Sequence, residues 1–218
     1  MDRHRWWFEP RQSQLDSARG DAYGFGGRAM ARAFTKLAFS PAVKAAQARY
    51  GARENGERLE HKERARERLN DDLIAFVAAA ESFFIASANS DGWPYMQHRG
   101  GPAGFLKALD DRTLAFADYA GNKHYITVGN LAENDRVLLF LIDYERGRRL
   151  KIWGRAIVID EDPALFERVR DPGYPAKVER VLRIIVEAWD LNCRQHFPKL
   201  IRAQSVQARP HSPACVEQ

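Results

Sequence analysis

The hydrophobic period of the chain changes near residue 82. Before that point apolar positions recur at spacings of three and four, as on one face of a helix; after it they fall into short runs and alternations typical of strands. Met30, Phe34 and Leu37-Ala38 give a helical pattern over residues 28–50. It is interrupted at Ser40-Pro41, where a serine N-cap and a proline in the first helical position predict a new start. Residues 53–72 alternate in charge sign, with Glu54/Arg58 and Glu60/Arg64 spaced to pair along a helix, which predicts a solvent-facing helix or connector. Asn70 followed by Asp71 and Asp72 predicts a capped start, and Leu73, Phe76, Val77 and Ala80 an amphipathic helix running to Glu81.

Strands are predicted at 83–88, 95–99, 104–108, 113–117, 136–142, 149–159 and 181–189, with turn chemistry at Asn89-Ser90-Asp91-Gly92, Asp110-Asp111 and Glu145-Arg146-Gly147. Gly154, inside the longest strand, predicts a bulge or bend. Asp162-Pro163 predicts a short helix to Val169, broken by Asp171-Pro172-Gly173-Tyr174-Pro175. The expected fold class is therefore mainly β with flanking helices, closed as a small antiparallel barrel. The expected division is an N-terminal helical or extended segment (1–70) packing on the barrel or on a partner subunit, a barrel domain (71–200) and a polar C-terminal tail (201–218). In the first segment, Trp6-Trp7-Phe8 is an aromatic cluster suited to docking of an extension over residues 1–27.

Composition narrows the function classes. The net charge of +5 arises from 34 basic and 29 acidic residues that are mostly interleaved, so no basic face favours a nucleic-acid partner. No apolar run approaches the ~20 residues that span a bilayer, and the N-terminus lacks a signal-peptide core. The two cysteines, Cys193 and Cys215, give no disulfide framework. A cytoplasmic location is expected.

Candidate chemistry concentrates between Trp93 and Lys123. Gln97-His98-Arg99-Gly100-Gly101 and Gly121-Asn122-Lys123-His124 stand at the ends of predicted strands. Basic side chains and glycine-exposed amides there suit a phosphate. The nearby Trp93, Tyr95, Gln97, Phe116 and Tyr119 suit a planar ring joined to that phosphate, as in flavin mononucleotide (FMN). Cys193 and His196 have the spacing of half a metal site with no second pair, so no metal is expected. Asn192, Gln195 and His196 are instead placed near the flavin or substrate pocket. No local signature supports a serine nucleophile.

Residues ~83–197 resemble the pyridoxamine 5'-phosphate oxidase-like FMN-binding family, whose fold is a split antiparallel Greek-key β-barrel. The resemblance rests on Phe83-Phe84-Ile85-Ala86-Ser87, Asp91-Gly92-Trp93-Pro94, Gln97-His98-Arg99-Gly100-Gly101, and Leu114 through Lys123. Gly129-Asn130-Leu131 and Gly154-Arg155-Ala156 complete it. It implies a homodimer with flavin at the subunit interface. It further implies that His98, Arg99 and Gly100 on one side and Asn122 and Lys123 on the other hold the phosphate. By the same resemblance, the backbone of Phe116 and Ala117 touches the flavin, and Arg148 and Arg149 reach its ring from the partner subunit.

The chain departs from the true oxidases of that family. They carry serine-arginine-lysine where Gly121-Asn122-Lys123 stands, and an arginine-leucine-histidine signature where Asn192-Cys193-Arg194-Gln195-His196 stands. This tail, and Ser40-Pro41-Ala42-Val43-Lys44-Ala45-Ala46-Gln47, look like a subgroup of flavin-nucleotide-binding proteins. The expectation is a flavin-dependent oxidoreductase acting on a small molecule other than pyridoxamine phosphate. Three alternatives stand beside it: a non-enzymatic flavin-binding or redox-sensing module; the same barrel holding a deazaflavin or haem; and a binding module whose basic N-terminal helices contact a partner or nucleic acid.

Overall fold

A computed structural model describes residues 34–62, 68–192, 197, 198 and 200. The Trp6-Trp7-Phe8 cluster, the extension 1–27, Arg64, the Cys193/His196 pair, Gln195 and the tail 201–218 lie outside the described residues.

The N-terminal part is helical: α1 (Phe34–Ala38), α2 (Pro41–Arg49) and α3 (Arg53–Lys62). The Ser40 side chain accepts a hydrogen bond from Val43 N, as an N-cap should. Glu60 bonds Arg53 and Lys44, which staples α3 to the start and middle of the α2–α3 hairpin. Phe34 stacks on Trp153 with ring centroids 5.8 Å apart, fixing α1 to the sheet. Next, α4 (Asp71–Ala78) starts at Asn70, whose side chain accepts from Leu73 N at 3.0 Å, and buries Leu73, Phe76 and Val77. It ends earlier than Glu81 because the chain turns at Ala79 to enter the sheet.

Seven strands follow: β1 (Ser82–Ala88), β2 (Pro94–Gly100), β3 (Lys107–Ala108), β4 (Thr113–Tyr119), β5 (Arg136–Asp143), β6 (Arg148–Ile159) and β7 (Val178–Asn192). They form one sheet of order β2-β1-β5-β6-β7-β4-β3, and all its pairs are antiparallel. A helix α5 (Ile126–Glu133) lies between β4 and β5, and α6 (Pro163–Val169) between β6 and β7. The expected class, mainly antiparallel β with flanking helices, is what the chain forms.

Two sequence expectations change. The strand expected over 104–108 shrinks to Lys107–Ala108, because Gly104 takes a left-handed turn (φ +81°) and Phe105 N bonds back to Pro102 O. Helix α5 was not expected, because Gly129 sits at its centre and no side chain caps its start. The register between β6 and β7 slips at Trp153/Gly154, as the glycine suggested. A Cβ at Gly154 would sit 2.6 Å from Ile185 O, so no side chain fits there.

The sheet curls into a barrel. Phe83 on β1 meets Phe116 on β4 edge-on at 5.2 Å, although the two strands are far apart in the sheet order. Between them Ile85, Leu139, Leu141, Leu150, Ile152 and Ile184 are fully buried, each stabilising the fold by about 1.5–3 kcal/mol. No backbone ladder joins β2 to β4, so the barrel is split along that seam. α5 plugs the inner side near β1 and β2, where Asn130 Nδ2 donates to the buried Ser87 Oγ at 3.0 Å.

Candidate functional site

Alternation along β2 decides which predicted residues can meet. Arg99 and Gln97 pair with the inward Phe83 and Ile85, so they face the seam, whereas His98 pairs with Phe84 on the outer face. His98 is exposed there and packs edge-on to the Phe84 ring at 5.5 Å. The run Gln97-His98-Arg99 is thus divided between two surfaces.

On the seam side, Gln97, Arg99, Asn122 and Lys123 come together around a cavity of about 200 Å³. The turn that follows β4 brings Lys123 in a left-handed conformation (φ 58°), and Tyr125 repeats it (φ 52°) at the N-cap of α5. That helix start carries no side-chain cap, so its backbone N–H groups and positive dipole end are available to an anion. Thr127 on its first turn donates to Gln97 Oε1 at 2.8 Å, leaving the Gln97 amide nitrogen to donate elsewhere.

Asp118 and Arg180, which the sequence did not single out, complete the cavity with Tyr119. Asp118 on β4 accepts from Arg99 through one oxygen and from Arg180 of β7 through the other, the latter at 2.9 Å. Burial, the largest single influence, would lower the pKa of Arg180, but the bond and charge of Asp118, with Tyr125 and Glu179, together outweigh it and hold the guanidinium more firmly charged than usual. The Arg180 guanidinium also lies over the Tyr125 ring at 5.0 Å. The Tyr119 hydroxyl is buried without a partner, and burial above all, then Asp171 and Tyr174, push its pKa up. Arg180 could not have been found from sequence, since it lies 62 residues from Asp118 and only the β4–β7 register joins them.

Phe116 and Ala117 have buried side chains, so only their backbone can reach a ligand. β3 pairs with β4 only at Leu114 and Ala115, and from Phe116 to Tyr119 the ladder runs on the β7 side alone. That stretch of strand edge is open to hydrogen bonding. Gly100 ends β2, with Gly101 N bonded to Glu81 O at 3.0 Å.

The remaining predicted residues lie elsewhere. Arg148 crosses the Phe76 ring at 4.9 Å, bonds Asp143 at 3.3 Å and leaves its Nε buried without a partner. It lines a second cavity of about 660 Å³ walled by Phe76, Phe84, Phe140, Ile142 and Tyr144. Arg149 lies over Phe197 at 5.5 Å and pairs in register with Asn192, whose amide donates to Asp190. Gln195 and His196 lie outside the described residues. Among the described residues, no group of three or more His, Cys, Asp or Glu side chains is placed to hold a metal ion. No helix among them is long and apolar enough to cross a membrane.

The seam cavity fits a phosphate ester. Arg99 Nε is buried with no hydrogen-bond partner, an unmet donor that a phosphate oxygen would satisfy. Lys123 and the uncapped helix start stand beside it.

Among solved structures the chain is similar to HupZ of Group A Streptococcus, at 17% identity over 61% of this chain and 99% of that one, with a TM-score of 0.47. It is similar to an FMN-binding protein from Syntrophomonas wolfei, at 14% identity over 69% and 96%, TM-score 0.43. A third similar structure is a Clostridium acetobutylicum protein related to general stress protein 26, of the pyridoxinephosphate oxidase family, at 12% identity over 62% and 95%, TM-score 0.42. No curated protein matches the chain. The family model described as pyridoxamine 5'-phosphate oxidase matches residues 69–193, from the residue before the α4 cap to the end of β7. With more than half of its length inside that match, this chain belongs to the pyridoxamine 5'-phosphate oxidase family.

Proposed function

We propose that the protein is a homodimeric FMN-binding oxidoreductase acting on a small molecule other than pyridoxamine phosphate. The observation that carries this reading is the meeting of Arg99, Asn122 and Lys123 with the uncapped start of α5 at one cavity. Lys123 and Arg99 would hold the phosphate through charge-assisted hydrogen bonds, with Asn122 and the α5 amides completing its shell. Gln97 and the open edge of β4 at Phe116 and Ala117 would orient the ring.

Membership of the family supports a flavin-type cofactor. When bound, such a cofactor supplies hydride or two-electron transfer, while the protein supplies position and electrostatics. His98, Arg149 and Asn192 stand on outer faces, apart from the seam. A second copy laying that outer surface over the seam would bring them, with Arg148, to the same ring. The half-buried Phe84, Leu138, Phe140 and Ile142 on that surface give the copy an apolar patch to cover. In this reading residues 71–200 are the cofactor domain, residues 1–70 pack on it, and the protein works in the cytoplasm.

The test is a visible absorption spectrum of freshly purified protein, with the released ligand identified by mass. A flavin spectrum with one FMN per chain is expected. A colourless protein that takes up no added FMN would overturn the proposal, and a deazaflavin or haem mass would reassign the cofactor.

A further inference from the structure

We infer that Asp118 and Arg180 are a positioning pair that aims Arg99 into the seam cavity, and so sets how strongly the site prefers a phosphorylated flavin to its unphosphorylated form. The inference rests on the phosphate reading above.

Arg99 crosses the gap between β2 and β4, where no backbone ladder of the described residues fixes its direction. Asp118 does. The carboxylate is 6% exposed, and it spends one oxygen on Arg99 and the other on Arg180. Held at both ends, it cannot rotate away from either arginine.

The two guanidinium groups differ in what they have left to give. Arg180, 14% exposed, is engaged on every side: Asp118 at 2.9 Å, Glu179 at 3.2 Å, Asp160 at 3.7 Å, and the Tyr125 ring beneath it. It acts as a strut. Arg99, 15% exposed, gives one terminal nitrogen to Asp118, rests over the Phe116 ring at 5.7 Å, and keeps a buried Nε with no partner. It is the receptor. A buried N–H left unmet is costly, which favours a ligand oxygen at that point.

Arg180 also reaches the other half of the site. Tyr125, held beneath it, is one of two left-handed residues in the turn that presents Lys123, and it opens α5. Side chains other than glycine rarely hold that conformation without support from their surroundings. One arginine on β7 therefore braces Arg99 through Asp118 and the Lys123 turn through Tyr125.

The experiment compares dissociation constants for FMN and riboflavin, which differ only in the phosphate. Arg180→Lys and Asp118→Glu both conserve charge, so an effect in them reports geometry rather than net electrostatics; a lysine cannot bond all three acids and cover the ring at once. Wild-type protein is expected to bind FMN more tightly than riboflavin. In Arg180→Lys that preference should shrink by about tenfold, while riboflavin affinity stays within about twofold. Glu187→Gln, which removes an acid bonded to Arg155 at 2.8 Å elsewhere on the sheet, should leave the preference unchanged. Should Asp118→Glu fail to fold, Arg180→Lys alone decides. A wild-type preference retained in Arg180→Lys, or a parallel loss of both ligands, would overturn the positioning role while leaving the phosphate site standing. A wild-type protein that does not distinguish FMN from riboflavin would overturn the phosphate reading, and the positioning role with it.

Discussion

The two faces of β2 belong to different kinds of surface. Toward the seam, Gln97 and Arg99 enter a small polar cavity in which Arg99 and Arg180 are engaged with Asp118, and the Gln97 amide with Thr127. Toward the outside, Met96 and His98 join Phe84, Leu138, Phe140 and Ile142 in an apolar surface left partly open to water. The inner region gathers Gln97, Arg99, Asn122 and Lys123 of one chain around a single cavity. The outer one leaves Phe84, Leu138, Phe140 and Ile142 half-buried, the kind of apolar patch that marks an interaction surface. The difference teaches that a run contiguous in sequence need not be a site in space, because a strand sends alternate side chains to opposite faces. It also explains why the predicted residues fall into two groups on opposite faces, which the proposed dimer would reunite.

The largest effect should come from the outer face. Phe140→Asp places an unpaired charge in the apolar surface and should weaken self-association by about 2–4 kcal/mol, as expected for a buried interface residue. Light scattering across a concentration series would show a monomer with its β circular dichroism intact. An unaltered dimer would mean that this surface is not the interface.

Next comes the inner region. Lys123→Ala should weaken FMN binding by about 1.5–3 kcal/mol, the loss for a charged hydrogen bond, with the dimer unchanged and riboflavin affinity nearly so. Titration by flavin fluorescence measures both ligands. Equal losses for FMN and riboflavin would place Lys123 away from the phosphate.

A smaller effect separates the regions by pH. Burial would push Asp143 up, but the Arg146 backbone N–H, then the Arg148 and Arg146 side chains, outweigh it and hold the carboxyl below its ordinary range. A lowered folded-state pKa contributes stability that is present above the unfolded value of about 4 and is lost as pH falls through the folded value. Wild-type protein should thus lose more stability between neutral pH and about pH 3 than Asp143→Asn does, read as urea midpoints. Equal losses would show that the Asp143–Arg148 contact at the second cavity contributes nothing.

Much of this was legible in the sequence. Alternation and turn chemistry predicted strands such as β1, β5 and β6 because alternate residues there face the core, and the Ser40 and Asn70 caps formed where those residues preceded helical patterns. The parts that were not legible depend on contacts distant in sequence or on unusual backbone. Helix α5 starts at a left-handed Tyr125 with no capping side chain, so no local signal marked it. β3 was overextended because Gly104 gives no hint of its turn until Phe105 and Leu106 are seen buried. Grouping His98 with Arg99 treated neighbours in sequence as neighbours in space. Arg180 came into view only through the pairing of β7 with β4.

In the proposed dimer the cofactor site is shared, with the phosphate held by one chain and the ring met by another. It is tested most directly by mixing two defective chains, Lys123→Ala and Arg149→Ala, and isolating the mixed dimer. Each variant alone should bind FMN weakly at both sites. The mixed dimer should regain one tight site, because one of its two sites then combines an intact Lys123 with an intact Arg149. Mixed dimers that bind no better than either parent would contradict a shared site and confine the cofactor to a single chain.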